Sequence, residues 1–172
     1  LDEISIEQLA GIYGDGGELV NWTDLGVEVP GCKGQEIVVV SRQNNSGTYA
    51  YFRDAVLGKS DFKLGTRDMH GSEDVVDLVE KTPCAIGYSG LAYATDHVKL
   101  GCVAQETGGP CVNPSVDSAI DGSYPIARPL FMYTNGEPTG HVGEYLNWIK
   151  SDEGQCIILE KGYAPASEVN CS

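Results

Sequence analysis

The 172-residue chain carries 25 acidic and 11 basic side chains, a formal net charge of −14. Its length suits one domain or slightly more, and 41% hydrophobic with 21% charged content excludes a disordered acidic tail. The negative field argues against nucleic acid or an anionic membrane as partner and, at face value, against a small anionic ligand.

In chain order, Ser5 is a candidate N-cap for a helix to Tyr13, with Ile6, Leu9, Ile12 and Tyr13 on one face. Gly14-Asp-Gly-Gly17 stops it. Glu36 to Ser41 is a β-branched run suited to a strand buried on both faces of a parallel sheet. The polar loop Arg42 to Thr48 leads to a predicted helix over Tyr49–Leu57. A second helix spans Val75–Lys81, ended by Pro83, and Ala85–Tyr88 is a short strand. Val98–Val103 reads as a third strand and Pro114–Ile120 as a helix. Ile126–Tyr133 reads as a strand interrupted by Pro129, hence an edge or a crossing between sheets. His141–Lys150 and Asp152–Lys161 are predicted helices closed by Gly162. Alternating strands and helices indicate an α/β architecture.

Cysteines stand at 32, 84, 102, 111, 156 and 171, an even number without a CxxC pair. That pattern favours disulfides over a zinc or redox site and points to an oxidising compartment, with buried free thiols as the alternative. A turn-rich stretch between Cys102 and Cys111 can fold back as a hairpin. A Cys156–Cys171 bridge would pin the last segment, which leaves Cys32 with Cys84. No run approaches the roughly 20 apolar residues of a membrane span. The start at Leu1-Asp2-Glu3, without Met or signal peptide, reads as a processed or excised piece of an exported precursor.

The chemistry concentrates in Val38-Val-Val-Ser-Arg-Gln-Asn-Asn-Ser-Gly-Thr48. A buried strand ends in a short loop, and a helix begins near Ser46-Gly47-Thr48. The first N–H groups of that helix, with its positive dipole end, face the loop. Ser46 and Thr48 add hydroxyls, Gly47 allows close approach, and Arg42 offers a planar fork of donors. These groups can hold one phosphate-sized anion. The alternative is an ordinary turn in which Ser46 or Thr48 caps the helix and Arg42 pairs with an acid. Position at the carboxyl end of a buried strand favours the ligand site.

An enzyme reading has little support. Gly87-Tyr-Ser-Gly-Leu91 misses the nucleophile-elbow pattern, and Gly58-Lys-Ser60 lacks the first glycine of a P-loop. His70, His97 and His141 are scattered, read as surface residues, and give no metal site. The polar stretch Arg67 to Ser72 reads as a solvated loop, with the lining of a cleft as the alternative, and Trp22 and Trp148 as core or helix-packing residues.

Several segments, in this order, resemble the PstS-type phosphate-binding proteins, the extracytoplasmic receptors of high-affinity phosphate ABC importers. They are Ser5-Ile-Glu-Gln-Leu-Ala-Gly-Ile-Tyr13 with Asn21-Trp-Thr-Asp-Leu-Gly26, the loop Arg42 to Thr48, and Tyr51-Phe52 through Leu57-Gly58. Gly71-Ser72, Thr82-Pro-Cys-Ala-Ile-Gly-Tyr88, Tyr124-Pro-Ile-Ala-Arg-Pro-Leu130, and Ser151-Asp-Glu-Gly-Gln155 with Gly162-Tyr163 continue the series. The resemblance implies a type II periplasmic-binding-protein fold, represented here by its second domain plus the C-terminal return segment. Residues 1–125 would form the ligand-binding domain, and 126–172 the crossover strand and helices returning to a first domain.

It further implies that Arg42, Ser46, Gly47 and Thr48 contact phosphate, with Asn44 and Asn45 behind them. Asn44 stands where the family often has a carboxylate paired with the arginine, and Cys84 replaces a usual glycine, consistent with a staple to Cys32. Implied partners are inorganic phosphate, the importer's permease, and a first domain or second copy of the chain; no cofactor is implied. The location would be periplasmic, cell-surface or secreted. The family's first-domain Gly-Ser-x-Thr loop and acidic proton acceptor have no counterpart here, so a weak half-site is expected. Apolar surface exposed from Ile126 onward, inviting dimerisation, is expected as well. A secreted adhesion or scaffold module reusing the fold, or a receptor for sulfate or molybdate, are the alternative readings.

Overall fold

A computed structural model of the chain describes residues 1–171. The central layer is a parallel three-stranded sheet in the order β3 (Arg67–Met69), β2 (Val38–Arg42), β4 (Ala85–Gly87). Val40 and Ser41 of β2 are fully buried, as a β-branched run flanked on both sides by strands requires. Helix α2 (Gly47–Ala55) connects β2 to β3, and α3 (Ser72–Glu80) connects β3 to β4. The register pairs Val40 with Arg67 and Val38 with Ala85, so all three strands run the same way.

A second sheet joins β1 (Glu3–Ser5) in parallel to β5 (Cys102–Ala104), which turns back through β6 (Cys111–Val112). Helix α1 (Ile6–Tyr13) follows β1, buries Leu9, Ile12 and Tyr13, and reaches the first sheet through the Tyr13 hydroxyl, which donates to the Val40 carbonyl at 3.3 Å. Ser5 ends β1 and caps α1: its hydroxyl accepts from the Gln8 N–H at 3.1 Å while the Gln8 amide oxygen accepts from the Ser5 N–H at 2.9 Å. Tyr13 meets Phe52 edge-on with ring centroids 4.9 Å apart, and Phe52 stacks on Tyr88 at 3.9 Å. This aromatic cluster locks α1, α2 and β4 together. Gly87 serves the same packing, because a Cβ there would lie 2.7 Å from a Val75 methyl and 2.9 Å from one of Val79.

All three disulfides form as the spacing suggested: Cys32–Cys84, Cys102–Cys111 and Cys156–Cys171. The first ties the approach to β2 to the residue before β4, where the Cys84 carbonyl also accepts from the indole of buried Trp22 at 3.0 Å. After α4 (Val116–Ile120), Tyr124 and Ile126 pack on the core. The chain then runs out to α5 (Gly140–Ile149) and α6 (Asp152–Glu160), which pack against each other. No helix among the described residues is long and apolar enough to cross a membrane.

Two expectations change. Arg67–Met69, expected as a solvated loop, is an edge strand. Its side chains are mostly exposed, so pairing with β2 rather than alternating hydrophobicity decides it. Ile126–Tyr133, expected as a strand, has no regular structure. Pro125 and Pro129 lack N–H donors, and among the described residues no strand pairs with this segment. Trp148 lies partly exposed on α5, stacked on Tyr145 at 5.9 Å with its indole N–H donating to Glu153.

Candidate functional site

Parallel strands end at one edge, and here three ends converge. Arg42 closes β2, His70 to Ser72 follow β3 into α3, and Tyr88 and Ser89 follow β4. The Arg42 guanidinium donates from Nη1 to the Ser72 hydroxyl at 2.8 Å and from Nη2 to the His70 carbonyl at 2.9 Å. Its Nε is buried and has no hydrogen-bond partner among the described residues. The Arg42 backbone N–H donates to the Tyr88 hydroxyl at 3.3 Å, and that hydroxyl pairs with Ser41 Oγ at 2.8 Å. Burial raises the Tyr88 pKa, opposed by the bonds from Ser41 and Arg42, so the phenol stays neutral. Ser89 Oγ donates to the Ser72 carbonyl at 2.9 Å and steadies the turn that carries Ser72. The arginine is thus held from both neighbouring strands.

The loop after Arg42 is tight: the Ser46 N–H donates to the Gln43 carbonyl at 2.9 Å, with Asn44 and Asn45 exposed at the turn. Ser46 caps α2 by accepting from the N–H of Thr48 at 3.1 Å and of Tyr49 at 3.5 Å. Accepting leaves its own hydroxyl proton free to donate outward. Gly47 is exposed and adds no side chain over the helix end. The first turn of α2 contains no acidic residue, so nothing on the helix itself offsets its positive end. This edge can donate hydrogen bonds to an oxyanion from Arg42, Ser46 and the first turn of α2.

Arg42, Ser46, Gly47 and Thr48 therefore lie in one continuous strand–loop–helix unit. None of the hydrogen bonds made by Arg42 involves Asn44; Ser72 and His70 take the place of a carboxylate. Ser72 stood in sequence in the Gly71-Ser72 motif and in the polar stretch Arg67 to Ser72, with nothing there to link it to Arg42. Arg128 was not singled out either, yet its Nη2 donates to Thr48 Oγ1 at 3.3 Å. It is the one lysine or arginine between Lys99 and Lys150, a signal that the sequence carried unread. Among the other histidines, His141 pairs with Glu144 on exposed α5, and His97 lies in an exposed turn.

Residues 1–153 match the PBP superfamily domain. The phosphate-binding protein PstS of Pseudomonas aeruginosa strain PAO1 is 32% identical over 152 residues, covering 86% of this chain and 47% of that protein. PstS of Bacillus subtilis strain 168 is 33% identical over 168 residues, covering 97% of this chain and 52% of that protein. The chain spans about half the length of the curated relatives it matches. In structure, a substrate-binding protein of Clostridium perfringens crystallised with bound phosphate superposes with a TM-score of 0.79 at 26% identity, covering 97% of this chain and 64% of that one. An ABC-type phosphate transport receptor of Vibrio cholerae superposes with a TM-score of 0.74 at 24% identity, covering 95% of this chain and 64% of that one, which supports the fold.

Proposed function

The chain belongs to the PBP superfamily and has its type II periplasmic-binding-protein fold, and we propose that it binds inorganic phosphate at the loop 42–48. It would do so as part of the solute receptor of a phosphate ABC importer. The observation that carries this reading is the state of Arg42. Its guanidinium is fixed by Ser72 and His70, its buried Nε lacks a partner among the described residues, and the loop that follows it runs into α2, whose first turn has no acidic residue. An anion seated in that loop would meet the guanidinium on one side and the N–H groups of the first turn of α2 on the other. Relatives named for phosphate binding support the choice of anion.

In this reading Arg42 supplies the charged donors, Ser46 and Thr48 their hydroxyls, and Gly47 its N–H with room for close approach. Binding, not turnover, is the activity. The groups of the loop are donors, and a carboxylate acceptor that would tell hydrogen phosphate from sulfate is not among them. Residues 1–125 would act as one face of the site, with 126–172 returning toward the other. The remaining contacts would come from a first domain or a second copy of the chain, and the loaded receptor would dock on the importer's permease. Three disulfides fit an oxidising, extracytoplasmic setting.

Titration calorimetry of the 172-residue chain and of Arg42→Ala with phosphate and sulfate tests this. Expected are dissociation constants weaker than micromolar, little discrimination between the two anions, and a loss of about tenfold or more in the variant. Equal binding by both proteins removes Arg42 from the site. Micromolar or tighter binding of phosphate by the chain alone defeats the half-site.

A further inference from the structure

We infer that Arg128 is a second guanidinium ligand of the bound oxyanion, brought to the first turn of α2 from a distant part of the chain. The inference rests on the phosphate reading of loop 42–48. Three observations carry it. The Arg128 Nη2 donates to Thr48 Oγ1 at 3.3 Å, and both Nη atoms lie 3.5–3.6 Å from where a Cβ on Gly47 would stand. The absent side chain at Gly47 is therefore the space that the guanidinium borders.

Second, the charge is uncompensated. Ion pairs among the described residues engage Arg53 with Asp61, Lys81 with Asp77, Lys99 with Asp2 and His141 with Glu144; none reaches Arg128. A free guanidinium pressed against a helix N-terminus meets like potential, a placement that an anion between them turns favourable. Third, a dedicated seat holds it. Thr48 and Tyr51, three apart on α2, share one helix face. Arg128 lies over the Tyr51 ring at 5.6 Å, and the Tyr51 hydroxyl donates to the Ala127 carbonyl at 2.6 Å. Burial raises the Tyr51 pKa, with the Arg128 charge pulling the other way, so the phenol remains a donor.

The two arginines divide the work. Arg42 is buried in part and bonded twice, so it is preorganised. Arg128 is exposed, holds one long hydrogen bond, and can shift to meet the ligand. Occupancy of the site thereby reaches the segment that begins at Ile126.

Phosphate titrations of the 172-residue chain, Arg128→Gln, Arg128→Lys, Tyr51→Phe and Arg42→Ala at low and high salt test this. Expected is a loss of about tenfold for Arg128→Gln at low salt, narrowing as salt rises, with Arg128→Lys in between. Tyr51→Phe should weaken binding less and keep the wild-type salt dependence, since the charge stays. Binding by Arg128→Gln equal to wild type, with Arg42→Ala impaired, overturns the role of Arg128 and leaves the phosphate site standing. Equal, salt-independent losses in the Gln and Lys variants overturn it too, because a structural anchor needs no charge. No phosphate binding by the wild-type chain removes both readings.

Discussion

The stretch from β2 to β4 and the stretch after Ile126 carry similar apolar content to opposite ends. In the first, Val40 is fully buried between two strands, Phe52 and Tyr88 stack, and Gly87 is squeezed against α3. In the second, Leu130, Phe131, Met132 and Tyr133 are 61–88% exposed, and α5 buries none of its residues. Hydrophobic residues make a core only where neighbouring chain completes the layer. The first region closes on itself, and the second does not. The candidate site lies where the closed region meets the start of the open one.

The largest effect expected on this contrast comes from the staple of the closed region. Replacing Cys32 and Cys84 by Ala frees a span of 52 residues, and chain entropy predicts a loss of about 4 kcal/mol. Denaturant unfolding under oxidising conditions measures it. A loss no greater than that from Cys156→Ala with Cys171→Ala, which opens a span of 15, would break the ranking of the two regions.

Next comes Gly87→Val. The added carbons meet Val75 and Val79 inside ordinary contact distance, and overpacking of this kind costs about 3 kcal/mol. Thermal unfolding should show a clear drop in midpoint. An unaffected midpoint would mean that α3 can slide, and that the closed region is less tightly fitted than its packing implies.

The tyrosines packed in the core or against it give the fold a pH limit. Burial pushes the Tyr13 pKa well above 10, raises that of Tyr88, and takes that of Tyr124 to about 12. A raised pKa means the folded state holds the proton more tightly than the unfolded one. Its contribution is complete below pH 10 and disappears as pH climbs toward 12 and beyond. Circular dichroism and tyrosinate absorbance should therefore change together in an alkaline unfolding step. Tyrosinate rising fully near pH 10 without loss of structure would contradict the burial.

The closed region was largely legible from sequence because its signals are local. A β-branched run before Arg42, a capping serine, and Gly-Tyr at the end of a short strand each sit within a few residues. What escaped was set by contacts across the chain. Strand β3 is two charged residues and a methionine at an edge, and only its register with β2 makes it a strand. Ser72 reaches Arg42 across 30 positions and Arg128 reaches Thr48 across 80, distances over which spacing carries no geometric information. Ile126–Tyr133 misled for the reverse reason: its composition resembles a strand, but strand formation needs a partner edge.

The smallest expected effect sharpens the comparison most. Changing Phe131 and Tyr133 to Ser removes two aromatic rings that pack mainly on each other, with centroids 6.3 Å apart, and on solvent. Because little area returns to water on unfolding, the stability change should stay within about 0.5 kcal/mol. The same rings in the closed region would cost several times that. What should change is association: exposed apolar surface drives contact between copies, so sedimentation or light scattering should report less self-association in the double variant. A drop of several kcal/mol instead would show that these residues are packed in the isolated chain, and the division into a closed and an open region would fall.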